Sequence, residues 1–196
     1  MQQAAAITAI LFTIFTGAAF GDEPPPSPSA CFQQAAERHN IPVELLIAVA
    51  ETESGLSPLA MNQAGAAILP RSRGDAEAVL RRIAGERATF DMGIMQVNRW
   101  WFEKYGEPYE KGFDVCFNVD FGAKILAMAI KERGFTWEAV GRYHSPTGWR
   151  QSAYSRRIFA RLSRILEKRR EMPLQELLDR KLSKATVVSS SGSDWH

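Results

Sequence analysis

The sequence predicts a mostly α-helical fold with at most a small sheet. Apolar residues recur at spacings of three and four in several segments, most clearly over 118–133, where Phe121, Ile125, Met128 and Ala129 would share one helix face. Segments in which apolar and polar residues alternate, as they do in half-buried strands, are nearly absent. The chain has 196 residues, of which 45% are hydrophobic, so it can form one domain with terminal extensions and a sizeable core.

The first two helices are predicted at 31–39 and 43–53. Asn40-Ile41-Pro42 interrupts the helical pattern between them. Pro42 suits an early position of the second helix, because the N–H that proline lacks would have no partner there. Gly55 then ends the second helix.

The pattern is irregular from Gly55 to Asp91, where glycine and proline favour loops and only 75–84 has the pattern of a short helix. A turn and an aromatic helix follow over 91–101. Residues 171–196 form a tail, of which we expect about the last dozen residues to be disordered. The remaining helices are predicted at 118–133, at 136–143 and, as the longest, at 151–170.

The N-terminal residues have the features of an export signal. Residues 4–20 are apolar and small residues follow, which is the pattern of a signal peptide over 1–21. An uncleaved anchor is the alternative, although about 17 residues is the short limit for a span. Residues 22–30 are rich in proline and serine and are predicted to be a linker, so the folded domain would cover 31–170. We therefore expect a periplasmic protein with no stable membrane span once the signal is cleaved.

The cysteine count fits an exported protein. Cys31 and Cys116 are the two cysteines, and an oxidising compartment favours a disulfide between them. Lipidation of Cys31 is the alternative, but the apolar segment ends well before it. Two cysteines and three scattered histidines do not suggest a metal site, so we predict neither a metal nor another cofactor.

Charge is distributed unevenly along the chain. The formal net charge of +2 gives no reason to expect a nucleic-acid partner. Between Arg142 and Arg170, however, nine basic residues stand against one acid, Glu167. This run is either the solvated face of a C-terminal helix or a surface that contacts an anionic polymer, lipid headgroups or an acidic protein.

One carboxyl group of the second predicted helix has surroundings that favour acid chemistry. Helical geometry separates Glu53 from Glu44 and Glu51, which would share a largely polar stripe. Burial raises the pKa of a glutamate above its usual value of about 4.3, which suits a general acid. The alternative is that Glu53 lies in solvent at the end of the helix. The apolar residues that precede it on its own face are Leu46, Val49 and Ala50.

Four sequence blocks, the first of which begins with Glu53, resemble the motifs of a known family. E-S-G-L-S-P-L-A-M-N over 53–62 and D-M-G-I-M-Q-V-N over 91–98 resemble the first two motifs of soluble-lytic-transglycosylase-type domains. A-V-G-R-Y-H-S over 139–145 is similar to the third motif, with His144 in place of an asparagine, and Tyr154 matches the fourth. The blocks occur in the family's order, but they do not cover the tail or 63–90. Their order and the leader are similar to the small branch that accompanies conjugation and type III or type IV secretion.

The resemblance implies a lysozyme-like α+β fold, with 31–170 as the catalytic domain, and an activity on peptidoglycan glycan strands. Glu53 would protonate the oxygen of a MurNAc–GlcNAc bond and then act as base, while the sugar's own 6-hydroxyl closes a 1,6-anhydro ring. Components of a secretion apparatus are the other partners implied. The implied substrate-binding residues are Ser54, Gly93, Met95, Gln96, Asn98, Tyr143 and Tyr154.

Two alternative functions stay open. A hydrolytic, lysozyme-like muramidase would need a second carboxylate, and Asp91 is the one candidate at a motif position, although we favour a turn role for it. A non-enzymatic peptidoglycan-binding assembly factor would use the basic segment and the tail for docking. Of Trp100, Trp101 and Phe102, we expect at least two in the core, because three successive residues cannot all face a groove.

Overall fold

The computed structural model describes residues 26–86 and 88–190. Within these ranges the chain forms eight α-helices and one four-stranded sheet, which confirms the predicted fold class. The predicted signal peptide lies outside the described residues, as do 22–25 of the predicted linker and 191–196 of the tail. The helices of the described ranges are all too short or too polar to cross a membrane.

The first two helices form the centre of the core. Helix α1 spans Pro28–His39 and thus begins inside the predicted linker, because the Ser27 hydroxyl accepts a hydrogen bond from the N–H of Ala30 and caps the helix. Helix α2 spans Val43–Ser54 and is followed, as predicted, by Gly55 in a left-handed conformation (φ 64°). Five successive residues of α2, Leu46–Ala50, are fully buried, so this helix is enclosed on several sides.

The segment from the end of α2 to the end of the second motif contains the sheet and one helix. The strands are β1 (Met61–Gln63), β2 (Ala66–Ile68), β3 (Phe90–Met92) and β4 (Val97–Asn98), in the antiparallel order β2-β1-β3-β4. Helix α3 (Arg73–Ala84) starts at a Ser72 cap and buries Ala76, Leu80 and Ile83. The stretch at 63–90, which the motifs do not cover, therefore consists of an outer hairpin and a packed helix.

The sheet register aligns three polar residues. Asn62 of β1 is opposite Asp91 of β3, and Asp91 is in turn opposite Asn98 of β4. Residues that are paired across neighbouring strands project to the same side of a sheet. The sheet thus presents one row of polar side chains near the end of α2.

The remaining elements follow in short succession. Helix α5 begins about three residues before the predicted start, at a cap formed by Asp114. A disulfide joins Cys31 of α1 to Cys116 of α5, where the two Cα atoms lie 4.7 Å apart. The elements are α4 (Arg99–Tyr105), a 3₁₀ helix (Tyr109–Phe113), α5 (Val115–Arg133), α6 (Trp137–His144), α7 (Gly148–Glu171) and α8 (Leu174–Ser190).

The polar stripe predicted on α2 is covered by the C-terminal helices rather than solvated. Oε1 of Glu51 lies 3.3 Å from Nη1 of Arg161 and 2.6 Å from Nζ of Lys181. Oε1 of Glu44 likewise lies 3.2 Å from Nε of Arg169. The basic run therefore divides: Arg161 and Arg169 neutralise acids of α2, the other basic residues of α7 are exposed, and Arg142 is half-buried on α6.

The part of the tail that the structure describes forms helix α8, which packs on the domain. Leu174, Leu177 and Leu178 of α8 are buried in the core. The helix continues through Ser190. An apolar stripe at helical spacing explains why this segment docks.

Candidate active site

A groove of about 890 Å³ runs past the C-terminal end of α2. Glu53 lies in its wall. The polar row of the sheet forms one side, and residues of α5, α6 and the start of α7 form the other. The sheet side contributes Asn62, Asp91, Gln96 and Asn98, and the helical side contributes Met128, Glu132, Arg142, Tyr143, His144 and Arg150.

Glu53 is the most strongly perturbed acid of the groove. Its side chain is 13% exposed, and burial raises its pKa from 4.5 to about 7. The Tyr154 hydroxyl opposes this rise, the negative charge of Asp91 adds to it, and the positive charge of Arg157 opposes it. A carboxyl group with a pKa near neutrality can both donate and accept a proton, so Glu53 is equipped for general acid–base chemistry.

Two rings lie beside the Glu53 carboxyl group. Nδ1 of His144 is 3.9 Å from Oε1 of Glu53, and the His144 ring stacks in parallel on the Tyr154 ring, with 4.7 Å between centroids. Oε1 of Glu53 and the Tyr154 hydroxyl are both buried, and they do not form a hydrogen bond of good geometry with any described residue. Burial and the negative charge of Glu53 keep the pKa of Tyr154 well above its ordinary value, so this hydroxyl stays protonated.

His144 is a site residue that sequence reasoning identified only as a substitution in the third motif. Burial lowers its pKa, and the positive charges of Arg157 and Arg150 lower it further. The imidazole is therefore neutral at neutral pH. Its position next to Glu53 depends on how α6 packs against α7 and how α7 packs against α2, which the motif alone does not reveal.

The turn between β3 and β4 is held from several sides. The Ser54 hydroxyl donates to the carbonyl oxygen of Ile94 (2.7 Å), and the Tyr143 hydroxyl donates to that of Met95 (2.7 Å). Asn118, a fully buried residue of α5, accepts from the N–H of Met95 and donates to the carbonyl oxygen of Met92. Asn118 lies outside the four sequence motifs, and its hydrogen bonds help to hold this turn in place.

Gly93 is required at the start of this turn. Its φ is 79°, and an added Cβ would collide with the carbonyl oxygen of Gly112 and the side chain of Asn118. Close packing at this point brings the turn against α5. The family resemblance implied that Gly93 binds the substrate, whereas the close approach seen here is to other parts of the protein.

Gln96 and Asn98 line the groove, but most of their polar atoms already have partners. Nε2 of Gln96 donates to the carbonyl oxygens of Ala60 and Gly93, both at 2.9 Å, which leaves its Oε1 for a ligand. Nδ2 of Asn98 donates to Thr89 and Asp91, while its Oδ1 caps α4 by accepting from the N–H of Trp100. Asn98 therefore shapes the groove chiefly by holding Asp91 and α4.

The position of Asp91 fits both roles that the sequence left open, a turn residue and a second carboxylate. It lies in β3, and its hydrogen bond with Asn98 (2.8 Å) closes the β3–β4 hairpin around the turn. It also lines the groove together with Glu53, as a second carboxylate would. Burial raises its pKa, and the hydrogen bond from Asn98 opposes that rise.

The structure places the predicted site residues in two groups. Glu53, Gln96, Asn98 and Tyr143 line the groove. Ser54, Gly93, Met95 and Tyr154 do not line it and instead support its wall from behind.

The aromatic residues that follow Asn98 divide between core and groove. Phe102 is fully buried, whereas Trp100 is 51% exposed and lines the groove. Trp101 both packs against the core and lines the groove. The two indole rings are therefore the apolar surfaces of the groove that are suited to a sugar face.

A metal site is not evident in the described residues, which contain no group of three or more histidine, cysteine, aspartate or glutamate residues arranged to hold a metal ion.

Comparison with known proteins agrees with this site. The family model described as "Transglycosylase SLT domain" matches residues 30–158. The chain is 30% identical over 150 residues to invasion protein IagB of Salmonella typhi, covering 74% of this chain and 81% of the relative. It is also 30% identical over 143 residues to protein IpgF of Shigella flexneri, covering 69% and 80% respectively.

A further relative matches over a shorter range. Type IV secretion system protein virB1 of Brucella abortus biovar 1 (strain 9-941) is 34% identical over 85 residues, which is 42% of this chain and 36% of the relative. The predicted family is thus confirmed, and the relatives fit the predicted secretion-associated branch. The chain belongs to the transglycosylase SLT domain family and is an enzyme of the lytic transglycosylase type.

Proposed function

We propose that this enzyme cleaves MurNAc–GlcNAc bonds in peptidoglycan glycan strands and leaves 1,6-anhydroMurNAc ends. The observation that carries the proposal is the buried Glu53 carboxyl group, which has a pKa of about 7 and lies in the wall of a groove of about 890 Å³. An exposed glutamate would be ionised at neutral pH and could not serve as the acid.

The chemistry requires two proton transfers at the same carboxyl group. Protonated Glu53 gives its proton to the bridging oxygen as the C1–O bond breaks, and the departing GlcNAc leaves with a new hydroxyl. The Glu53 carboxylate then takes the proton of the MurNAc 6-hydroxyl while O6 bonds to C1. Glu53 ends protonated, and no water is consumed, so the group is ready for another cycle.

A tethered nucleophile makes a second catalytic carboxylate unnecessary. The 6-hydroxyl is part of the reacting sugar, and well-oriented intramolecular groups can lower a barrier by about 7–11 kcal/mol. The protein must in addition hold the MurNAc ring in position for this attack. Trp100 and Trp101 offer faces for stacking and Oε1 of Gln96 offers an acceptor, while Ser54 and Tyr143 fix the turn that carries Gln96.

Hydrolysis is the second candidate, and the position of Asp91 is the observation that favours it. Asp91 lines the same groove as Glu53, and its charge acts on Glu53. In a hydrolase it would activate water or stabilise the positively charged sugar. Its carboxylate is held by Asn98 within the sheet, which suits a fixed electrostatic role equally well.

The cellular setting is proposed from the leader sequence and the relatives. An N-terminal signal peptide at 1–21 would deliver the protein to the periplasm, where its substrate is found. One relative is named as an invasion protein and another as part of a type IV secretion system. We propose that this enzyme opens the cell wall locally for such an apparatus.

The test of the activity is release of soluble fragments from purified sacculi. Glu53→Gln keeps the size of the side chain but removes the proton that is donated, and we expect at least about a 10²–10⁴-fold loss of rate. Glu51→Gln is the matched control on the same helix, since Glu51 pairs with Arg161 and Lys181 away from the groove, and its rate should stay within a few-fold of wild type. Near-normal turnover by folded Glu53→Gln protein would refute the assignment.

A further inference from the structure

Two arginines of the groove are not used by the chemistry proposed above. Arg142 lies on α6 and Arg150 in the first turn of α7, and both line the groove that contains Glu53. Arg150 is close enough to His144 for its positive charge to lower the pKa of that residue. Since His144 lies 3.9 Å from Glu53, the cationic part of the groove adjoins the proposed reacting bond.

These arginines differ from two arginines further along α7 that are paired with acids. Arg161 and Arg169 are neutralised by Glu51 and Glu44 of α2. Among the described residues, neither Arg142 nor Arg150 forms an ion pair. The Arg150 guanidinium lies 5.3 Å from the centroid of the exposed Trp149 ring, a contact that leaves its hydrogen-bond donors free.

A partly buried guanidinium group that lacks an ion-pair partner costs free energy, unless a bound ligand supplies a negative charge beside it. Arg142 is half-buried, so part of its hydration is already lost in the free protein. Arginine is also the side chain best suited to bind a carboxylate, because its planar fork can donate two parallel hydrogen bonds. The arrangement thus calls for an anionic group beside the scissile bond.

The substrate offers such a group only outside its sugar backbone. The glycan strand itself is uncharged, whereas the lactyl group of MurNAc carries a peptide stem with free carboxylates. We propose that Arg142 and Arg150 form a subsite for a carboxylate of this peptide stem, so that the enzyme prefers glycan strands that still bear peptides. This inference rests on the proposed function and adds a substrate requirement to it.

The test compares two forms of one substrate. Sacculi are used either intact or after carbodiimide-mediated amidation of the carboxylates of their peptide stems, and new glycan ends are counted for each. We expect the wild-type rate to be higher on strands whose stems carry free carboxylates. Arg142→Gln and Arg150→Gln should each lower the ratio of the two rates about ten- to hundredfold, as expected when a charge-assisted hydrogen bond is lost.

Arg164→Gln is the matched control for the loss of one positive charge. Arg164 is an exposed residue of the same helix as Arg150 and does not line the groove, so its substitution should leave the ratio unchanged. A ratio in the two groove variants equal to that of wild type, or a wild-type rate that does not depend on the charge of the stem carboxylates, would overturn the inference.

A binding measurement separates this inference from the proposed function. Glu53→Gln protein is titrated with a disaccharide muropeptide and with the same muropeptide after amidation of its peptide carboxylates, and quenching of tryptophan fluorescence reports binding at Trp100 and Trp101. We expect tighter binding of the muropeptide, and loss of that preference when Arg142→Gln or Arg150→Gln is added. This binding preference can be measured even if the wild-type protein cleaves neither substrate. Absence of cleavage would count against the proposed function alone, whereas equal binding of both probes would count against the subsite.

Discussion

Nδ1 of His144 lies 3.9 Å from Oε1 of Glu53, yet this histidine does not supply a counter-charge to the acid. Burial and two neighbouring arginines lower the pKa of His144, so its ring is neutral at neutral pH. The cation that acts on Glu53 is Arg157, whose effect is smaller than that of burial. Glu53 consequently keeps a pKa of about 7 and is partly protonated at physiological pH.

The first prediction concerns the pH dependence of cleavage. The protonated form of Glu53 is the active acid, so the rate should fall as the pH rises through about 7. Asp91→Asn removes a negative charge that raises the pKa of Glu53, and should move this decline to lower pH. Arg157→Gln removes a positive charge that lowers the pKa, and should move it to higher pH.

The measurement is the pH profile of the cleavage rate for each variant, with Arg164→Gln as a control for general effects of charge. Shifts of the same sign in Asp91→Asn and Arg157→Gln, or a rate that keeps rising above pH 8, would contradict the assignment of the titrating group to Glu53.

The second prediction concerns stability. The pKa of Glu53 is about 7 in the folded protein, against an ordinary value of 4.5, so the folded state holds this proton more tightly than the unfolded state. The free energy of unfolding should therefore fall as the pH rises from about 4.5 to about 7 and level off above that range, by about 3 kcal/mol at most.

Glu53→Gln should remove that component of the pH dependence. The variant should be more stable than wild type at pH 8 and close to it at pH 4.5, and urea unfolding at the two pH values is the measurement. Equal stability differences at both pH values would mean that the Glu53 carboxyl group is not held in its neutral form by burial.

The third prediction concerns Gly93. Gly93→Ala combines a left-handed backbone with a Cβ that meets Gly112 and Asn118, and we expect a loss of stability beyond about 2 kcal/mol. Gly106 has a similar φ, 67°, with open space at its Cβ position. Gly106→Ala should therefore cost only about 1 kcal/mol. Similar melting temperatures for the two variants would show that the turn is not clamped against α5.

The fourth prediction concerns the disulfide. Cys31 and Cys116 are separated by 85 residues, so the bridge closes a long loop between α1 and α5. Replacing both by serine should lower the free energy of unfolding by about 2–5 kcal/mol. Titration of denatured, unreduced protein with a thiol reagent should find no free thiol, and two free thiols in protein purified from the periplasm would refute the pairing.

Local patterns in the sequence predicted local structure well. Gly55 marked the end of α2, and the apolar residues one and two turns before Glu53 predicted its burial. Met95 also lies in the core, as its residue type suggests. The start of α1 was placed three residues too late, because a single serine cap at Ser27 allows the helix to begin within a proline-rich segment.

Contacts between distant segments could not be predicted in this way. Glu51 was assigned to a polar stripe, but Arg161 and Lys181, more than a hundred residues away in sequence, cover it. Ser54 and Tyr143 were assigned to the substrate, whereas both donate to carbonyl oxygens of the turn that follows β3. Such polar side chains have many possible partners, and only the way the helices pack, such as α7 on α2 and α6 on α7, decides among them.

The chemistry of the new glycan ends tests the central claim most directly. Purified sacculi are digested with wild-type, Asp91→Asn and Glu53→Gln protein, and the fragments are analysed by mass spectrometry, in which an anhydro end is lighter than a reducing end by one water. If Glu53 acts alone with the 6-hydroxyl as nucleophile, wild type and Asp91→Asn will both produce mainly 1,6-anhydroMurNAc ends, and Glu53→Gln will produce almost no new ends. Mainly reducing MurNAc ends from the wild-type protein would contradict this account and identify hydrolysis, with Asp91 as the second carboxylate.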